Sequence, residues 1–222
     1  LDLLGRCHDE LGDFRASASA FARGAEEAPR IREFIGSNEQ WRLGVEYFAQ
    51  QAASAAARSR DLQGVRENLD RIAALPESRV PPSVHVDRAG RLLGDDEAYI
   101  SLARSWLSAH PRDARTVVLE FGLARALGRS GEADAELAIL ERIHADHITE
   151  VIAVDRGDAH GRARASSGSA VGFAELVLWE YGRALHLAGR FGEAVVIHEQ
   201  LLRDHPTSPL RQRVVSPGGS AR

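Results

Sequence analysis

Lysine and methionine are absent from the sequence, and cysteine occurs only once, as Cys7. All 28 basic residues are therefore arginines, which is typical of a GC-rich coding sequence. A single cysteine cannot form an intramolecular disulfide bond or a cysteine-rich zinc site, and we expect Cys7 to be a small core residue. The missing methionine indicates that residue 1 is not a native start, so we expect the chain to belong to a larger protein.

The chain also carries little net charge and has no long apolar segment. Its formal net charge is −4 and its pI is near 6.2, which argues against a general polyanion binder, so we expect no nucleic-acid partner. There is no run of about 18 apolar residues, and no basic start precedes an apolar stretch. We therefore expect no membrane association and a cytoplasmic location.

The composition favours helices. Eight prolines and 20 glycines are scattered among residues with high helix propensity, mainly Ala, Leu, Arg and Glu. This predicts an all-α chain of helices joined by short breaks. No glycine-rich phosphate loop, G-x-S-x-G sequence or H-E-x-x-H sequence is present, so we identify no catalytic residues and expect a non-enzymatic protein without a cofactor.

Two distant segments share one frame, LLGRCHDELGDFRASASAFARGAEEAP (3–29) and EYGRALHLAGRFGEAVVIHEQLLRDHP (180–206). The matching positions are Gly5, Gly12, Phe14, Phe21 and Pro29 in the first and Gly182, Gly189, Phe191, His198 and Pro206 in the second. A small residue lets two antiparallel helices approach, and a glycine seven residues later supplies the turn. The aromatic residue two positions after that turn is expected to fill the space between hairpins.

This pattern resembles the tetratricopeptide repeat (TPR), a helix–turn–helix unit of about 34 residues. In the last copy the family spacing is met by Gly182, Gly189, Phe191, Ala194 and Pro206. The first copy keeps the frame but has Ser17 where the family prefers alanine. The resemblance implies an α-α superhelix, a TPR-like solenoid of helical hairpins.

Three weaker copies lie between these two, so we predict about five hairpins over residues 1–206. The second-helix positions that we take as equivalent are Ser17, Val65, Ala98, Ala133 and Ala194, which are separated by 48, 33, 35 and 61 residues. Irregular insertions near 30–40 and 147–169 account for the two long steps. Residues 207–222 are expected to form a disordered tail.

TPR ligands usually lie in a concave groove lined by the first helix of each hairpin, so the resemblance implies a scaffold that binds a peptide or a partner protein. By register, the candidate partner-binding residues are Trp41, Arg88, Arg91, Arg125, Trp179, Arg183 and His186. Because arginine binds carboxylates through two donors, acidic peptides are among the expected ligands. Self-association through an uncapped apolar end is a further possibility. The parent protein is expected to be bacterial.

An alternative hypothesis places an enzyme or metal-dependent module at the insertion. The densest set of potential metal ligands is His144, Asp146, His147, Asp155, Asp158 and His160. A pair such as His144 and His147 shares one helix face, but the spacing matches no established metal motif. We therefore identify no metal-binding residues, and the 144–160 segment remains the alternative site.

Overall fold

A computed structural model describes residues 1–31, 38–76, 78–113, 115–146 and 171–211. These ranges contain ten α-helices, one short 3-10 helix and no strand, so the all-α prediction is confirmed. The predicted insertion at 147–169 and residues 212–222 of the predicted tail lie outside the described residues, as does 32–37 of the predicted insertion near 30–40. No helix in the described ranges is long and apolar enough to cross a membrane.

The helices form five hairpins, each made of two helices joined by a turn of two or three residues. They are α1 (Asp2–Glu10), α2 (Phe14–Glu27), α3 (Asn38–Arg58), α4 (Leu62–Ala73), α5 (Pro82–Leu93), α6 (Asp96–Ala109), α7 (Thr116–Ser130), α8 (Ala133–Asp146), α9 (Phe173–Leu187) and α10 (Phe191–Asp204), with the 3-10 helix at Ala28–Ile31. The chain divides into two compact units, Leu1–Leu119 and Glu120–Arg222, called here the first and second units.

Every hairpin turn holds one residue in the left-handed backbone region, two positions before the second helix begins. These residues are Gly12, Arg60, Gly94, Gly131 and Gly189, with φ between 59° and 88°. Glycine adopts this conformation without steric cost, and Arg60 is the one residue with a side chain at this position among the described turns. Arg60 and Gly94 are 34 residues apart, the length of a tetratricopeptide repeat, whereas the other successive turn residues are 48, 37 and 58 residues apart.

An aspartate caps the second helix in each hairpin of the first unit. Asp13 accepts a hydrogen bond from the Ala16 N–H at 3.1 Å, and Asp61 accepts one from the Gly64 N–H at 3.0 Å. Asp95 accepts from the N–H of Glu97 at 2.8 Å. Each carboxylate satisfies a helix N–H that has no partner within its own helix, so these turns also set where the second helices start.

The fourth residue of each second helix is buried, which corrects the register predicted for two hairpins. These residues are Ser17, Val65, Tyr99, Glu136 and Ala194. The predicted positions Ala98 and Ala133 are wrong, by one and three residues respectively, because Ala98 is only half-buried and Ala133 is an exposed first residue of its helix. Alanine was expected at this position, whereas the buried residues here are a tyrosine and a glutamate.

The predicted close approach of paired helices is present at both ends of the chain. A Cβ atom on Gly5 would lie less than 3 Å from the Phe21 ring, and one on Gly182 would lie less than 3 Å from the His198 ring. Since real Cβ atoms do not approach that closely, a side chain at either glycine would force the facing ring or the helices to move. The two segments therefore share a packing contact as well as a sequence frame.

Two other expectations about side chains are wrong. Cys7 is exposed rather than a core residue. Phe191 is 59% exposed and contacts His186 edge-on, so it does not fill a space between hairpins. Its counterpart Phe14 is half-buried, and the Arg58 guanidinium lies 5.6 Å from the centre of its ring. The shared aromatic position thus has different surroundings in the two hairpins.

A buried carboxylate joins α3 to the segment before α5. Glu46 accepts hydrogen bonds from the N–H groups of Arg79 at 2.8 Å and Val80 at 3.0 Å, and His85 Nε2 lies 3.3 Å from it. Burial raises the pKa of Glu46, but these donors outweigh it and hold the pKa below its ordinary value. Burial also lowers the pKa of His85, although Glu46 opposes this. Both shifts favour the folded first unit at neutral pH over acid pH.

Replacing Arg60 with glycine should raise the free energy of unfolding by about 0.5–1 kcal/mol, because glycine adopts a positive φ without the cost that a Cβ atom brings. Urea denaturation followed by circular dichroism measures this change as a shift in the urea concentration at half-unfolding, with an unchanged dependence of the free energy of unfolding on urea.

The matched control replaces Arg203 with glycine in the last turn of α10, an ordinary helical position. Here glycine should lower stability by about 0.5–1 kcal/mol. If Arg60→Gly also lowered stability, the cost assigned to a left-handed arginine at this turn would be wrong.

Candidate functional site

A small cleft of about 180 Å³ lies in the second unit, between α9 and the part of α7 that follows Leu119. It is lined by Arg125, Gly128, Arg129, Trp179, Glu180 and Arg183. Three of the seven predicted partner-binding residues, Arg125, Trp179 and Arg183, therefore lie at one place. They come together because Trp179 and Arg183 are one turn apart on α9, and Arg125 faces them from α7.

Two glutamates hold these arginines in position. Glu180 pairs with Arg125 Nε at 3.2 Å through one carboxylate oxygen and with Arg183 Nε at 2.7 Å through the other. Glu136, on α8, accepts a hydrogen bond from Arg183 Nη2. Arg183 is thus fixed by two carboxylates on two different helices, and its side chain is still 35% exposed.

Gly128 makes room for the buried carboxylate. A Cβ atom at this position would lie less than 3 Å from the carboxylate of Glu136, which is 2% exposed. Burial raises the pKa of Glu136, the charge of Glu180 adds to this effect, and Arg183 opposes it. A raised carboxylate pKa means that burying the ionised Glu136 costs stability at neutral pH, and the pair with Arg183 offsets only part of that cost.

Trp179 rests on a histidine of the partner helix. Its ring is stacked on His198 at a centroid distance of 5.6 Å and an interplanar angle of 26°. His198 in turn lies against Gly182, and its Nε2 is buried with no hydrogen-bond partner in the described part of the chain. Burial lowers the pKa of His198, and the nearby His186 adds to the shift. The histidine beneath Trp179 is therefore favoured in its neutral form.

The remaining donors of the cleft exceed its acceptors. Arg125 approaches Glu180 through Nε, and within the described ranges neither of its terminal amino groups donates a hydrogen bond to the protein, nor does Arg183 Nη1. The Arg125 guanidinium also lies 6.0 Å from the centre of the ring of Phe121, which is one turn earlier on the same helix and helps to hold the guanidinium in place. The cleft can therefore donate several charge-assisted hydrogen bonds to an added acceptor.

The other predicted residues lie elsewhere. His186 is exposed on α9 beyond Arg183 and contacts Phe191 edge-on at 5.0 Å. Trp41, in the first unit, is half-buried near the start of α3. Arg88 and Arg91 are exposed on α5, where Arg91 donates to Asp87 at 2.8 Å. Their role in partner binding stays a prediction.

Asp87 also accepts a hydrogen bond from the Tyr99 hydroxyl at 2.6 Å, and the Tyr99 ring lies against Gly90. The Arg91–Asp87 pair is therefore an extension of the packing between α5 and α6.

The alternative metal site falls mostly outside the described residues, since His147, Asp155, Asp158 and His160 all lie in 147–170. His144 is described, and its Nε2 lies 3.2 Å from the Gln200 side-chain oxygen while its ring is 5.2 Å from that of Tyr181. In the ranges that the structure covers, no group of three or more His, Cys, Asp or Glu side chains is placed to hold a metal ion.

Sequence reasoning missed Gly128, Arg129, Glu136 and Glu180 as parts of the site. Only Glu136 carried a usable signal. The second helix begins two residues after the turn glycine Gly131, and Glu136 is its fourth residue, a buried position where a charged residue is unexpected. Compared with family models and with curated proteins, the chain shows no match.

Replacing His198 with phenylalanine, the residue at the matching position of the first hairpin, should make the last hairpin less sensitive to acid. The pKa of His198 is lower in the folded chain than in the unfolded chain. Below about pH 6.5 the unfolded chain therefore takes up a proton that the folded chain does not, and stability decreases as the pH is lowered. In this pH range His198 changes the free energy of unfolding by up to about 1.4 kcal/mol per pH unit, and the variant should lack this contribution.

Hydrogen-exchange protection of the α9 and α10 amides at pH 5 and pH 7.5 measures this effect without interference from His85 in the first unit. His186→Phe, which replaces the neighbouring exposed histidine, is the matched control and should keep most of the acid sensitivity. Equal acid sensitivity in wild type and His198→Phe would disprove the assignment.

Proposed function

We propose that this chain is a TPR-like helical repeat protein, a superhelical scaffold without catalytic activity that binds a peptide or a partner protein on the first helices of its hairpins. The observation that carries the proposal is the cleft, since it lies between two first helices and is lined by three residues that the repeat register had selected. The recurring left-handed turn residue and the buried fourth residue support a common repeat frame.

The size and chemistry of the cleft favour a peptide side chain over a small organic ligand. Sites for drug-sized ligands and cofactors are about 300–1,000 Å³, whereas this cleft is about 180 Å³ and three arginines line it. Tryptophan and arginine are the side chains most enriched at protein-binding hot spots. One aromatic wall beside preformed guanidinium donors fits a short segment of an extended chain.

Replacing Trp179 with alanine should abolish peptide recognition by the second unit. We expect a random dodecapeptide library displayed on phage to yield a family of related sequences on the immobilised wild-type protein, and to yield none of them on Trp179→Ala. The reason is that removing a half-buried aromatic anchor from a binding site lowers the affinity tenfold or more.

Leu187→Ala is the matched control, because Leu187 is an exposed apolar residue on the same helix, outside the cleft. It should select the same peptides as wild type. Thermal unfolding of both variants separates lost binding from lost folding. If wild type selects no related peptides, or if Trp179→Ala selects them equally well, the proposed function is wrong.

A further inference from the structure

We infer that the cleft between α7 and α9 takes the carboxylate of one acidic side chain of the bound peptide. This inference rests on the proposed function, since it assigns the ligand chemistry of the same surface. It goes further by naming the atoms that receive the ligand: the terminal amino groups of Arg125 and Arg183.

The internal carboxylates leave these donors available. Glu180 contacts both arginines through their Nε atoms, and Glu136 contacts Nη2 of Arg183. In the part of the chain that the structure describes, no further acceptor reaches Arg125 Nη1, Arg125 Nη2 or Arg183 Nη1. A ligand carboxylate has two oxygens, each able to accept more than one hydrogen bond, which suits this set of donors.

The side chains of Arg125 and Arg183 are held in place before any ligand binds. Arg125 is held by an ion pair and by the ring of Phe121, and Arg183 is held by carboxylates from its own helix and from α8. A ligand therefore does not have to order two long, flexible side chains when it binds. The side chains of Arg125 and Arg183 are 38% and 35% exposed, so their remaining donors are accessible from solvent.

Removing the charge of Glu180 and removing the charge of either arginine should have opposite effects on the affinity for an acidic peptide. Glu180 is only 12% exposed and competes with a ligand carboxylate for the same two guanidinium groups. Glutamine at this position keeps the shape and one side-chain oxygen for the arginines but removes the competing charge, and we expect the second effect to be larger, so that an acidic peptide binds more tightly. Removing the charge of either arginine should weaken binding. A basic or apolar ligand would give the reverse pattern or no pattern.

The experiment uses the peptides selected on wild type by phage display and measures their affinity by fluorescence anisotropy. We expect an Asp or Glu to recur at one position, and its replacement by Gln or Asn to weaken binding about tenfold or more. Arg125→Gln and Arg183→Gln should weaken binding similarly, and Glu180→Gln should tighten it about threefold or more. A peptide with phosphoserine at that position tests whether phosphate is the preferred anion.

Arg203→Gln is the matched charge control, because Arg203 is exposed on α10 and pairs with the adjacent Asp204 rather than with the cleft. It should leave affinity unchanged, and circular dichroism of each variant checks folding. Selected peptides without a recurrent acid, equal affinity in Arg183→Gln, or tenfold tighter binding of phosphoserine would overturn the carboxylate inference while leaving peptide binding intact. If wild type selects no peptides, both proposals fail.

Discussion

Direct contact between a glycine of the first helix and a large side chain of the second helix sets the geometry of most hairpins in this protein. In the residues described, four of the five hairpins have such a pair: Gly5 with Phe21, Gly90 with Tyr99, Gly128 with Glu136, and Gly182 with His198. A Cβ atom at any of these glycines would lie less than 3 Å from its partner, so either the partner side chain or the helix separation would have to change. Because interiors are packed to crystal-like density, this separation decides which side chains are buried and which emerge.

The first and second units use this contact differently. In the first unit the partners are the rings of Phe21 and Tyr99, which contribute apolar burial. In the second unit they are titratable, and both lie directly behind the cleft: Glu136 fixes Arg183, and His198 supports Trp179. Burial raises the pKa of Glu136 and lowers that of His198, so Glu136 costs stability at neutral pH and His198 costs stability below about pH 6.5, where an aromatic residue would not. Such a departure from the packing used elsewhere in the chain is typical of a functional site.

The parts of the fold that depend on neighbouring residues were predictable from the sequence. Helix-forming stretches interrupted by Gly12 or Gly189 identified the turns, and one repeated spacing matched Gly5 to Gly182 and Phe21 to His198, although not the contact within each hairpin. Where the repeat is degenerate, the prediction used the nearest alanine and shifted the register by one and three residues. The contacts of Glu180 with Arg125 on another helix have no sequence signal, because they depend on the packing of hairpins rather than on spacing within one of them.

Arginine is chemically required at the cleft, whatever the origin of a composition without lysine. Arg183 contacts Glu180 through Nε and Glu136 through Nη2, and it retains Nη1 for another acceptor. A lysine has a single ammonium group on a flexible stem, so it could not bridge two carboxylates on different helices and also hold a fixed plane toward a ligand. The same holds for Arg125, whose guanidinium pairs with Glu180 at one edge and lies near the Phe121 ring. The net charge of −4 therefore says little about this surface, because the acidic residues next to the cleft position the guanidinium groups without using all of their donors.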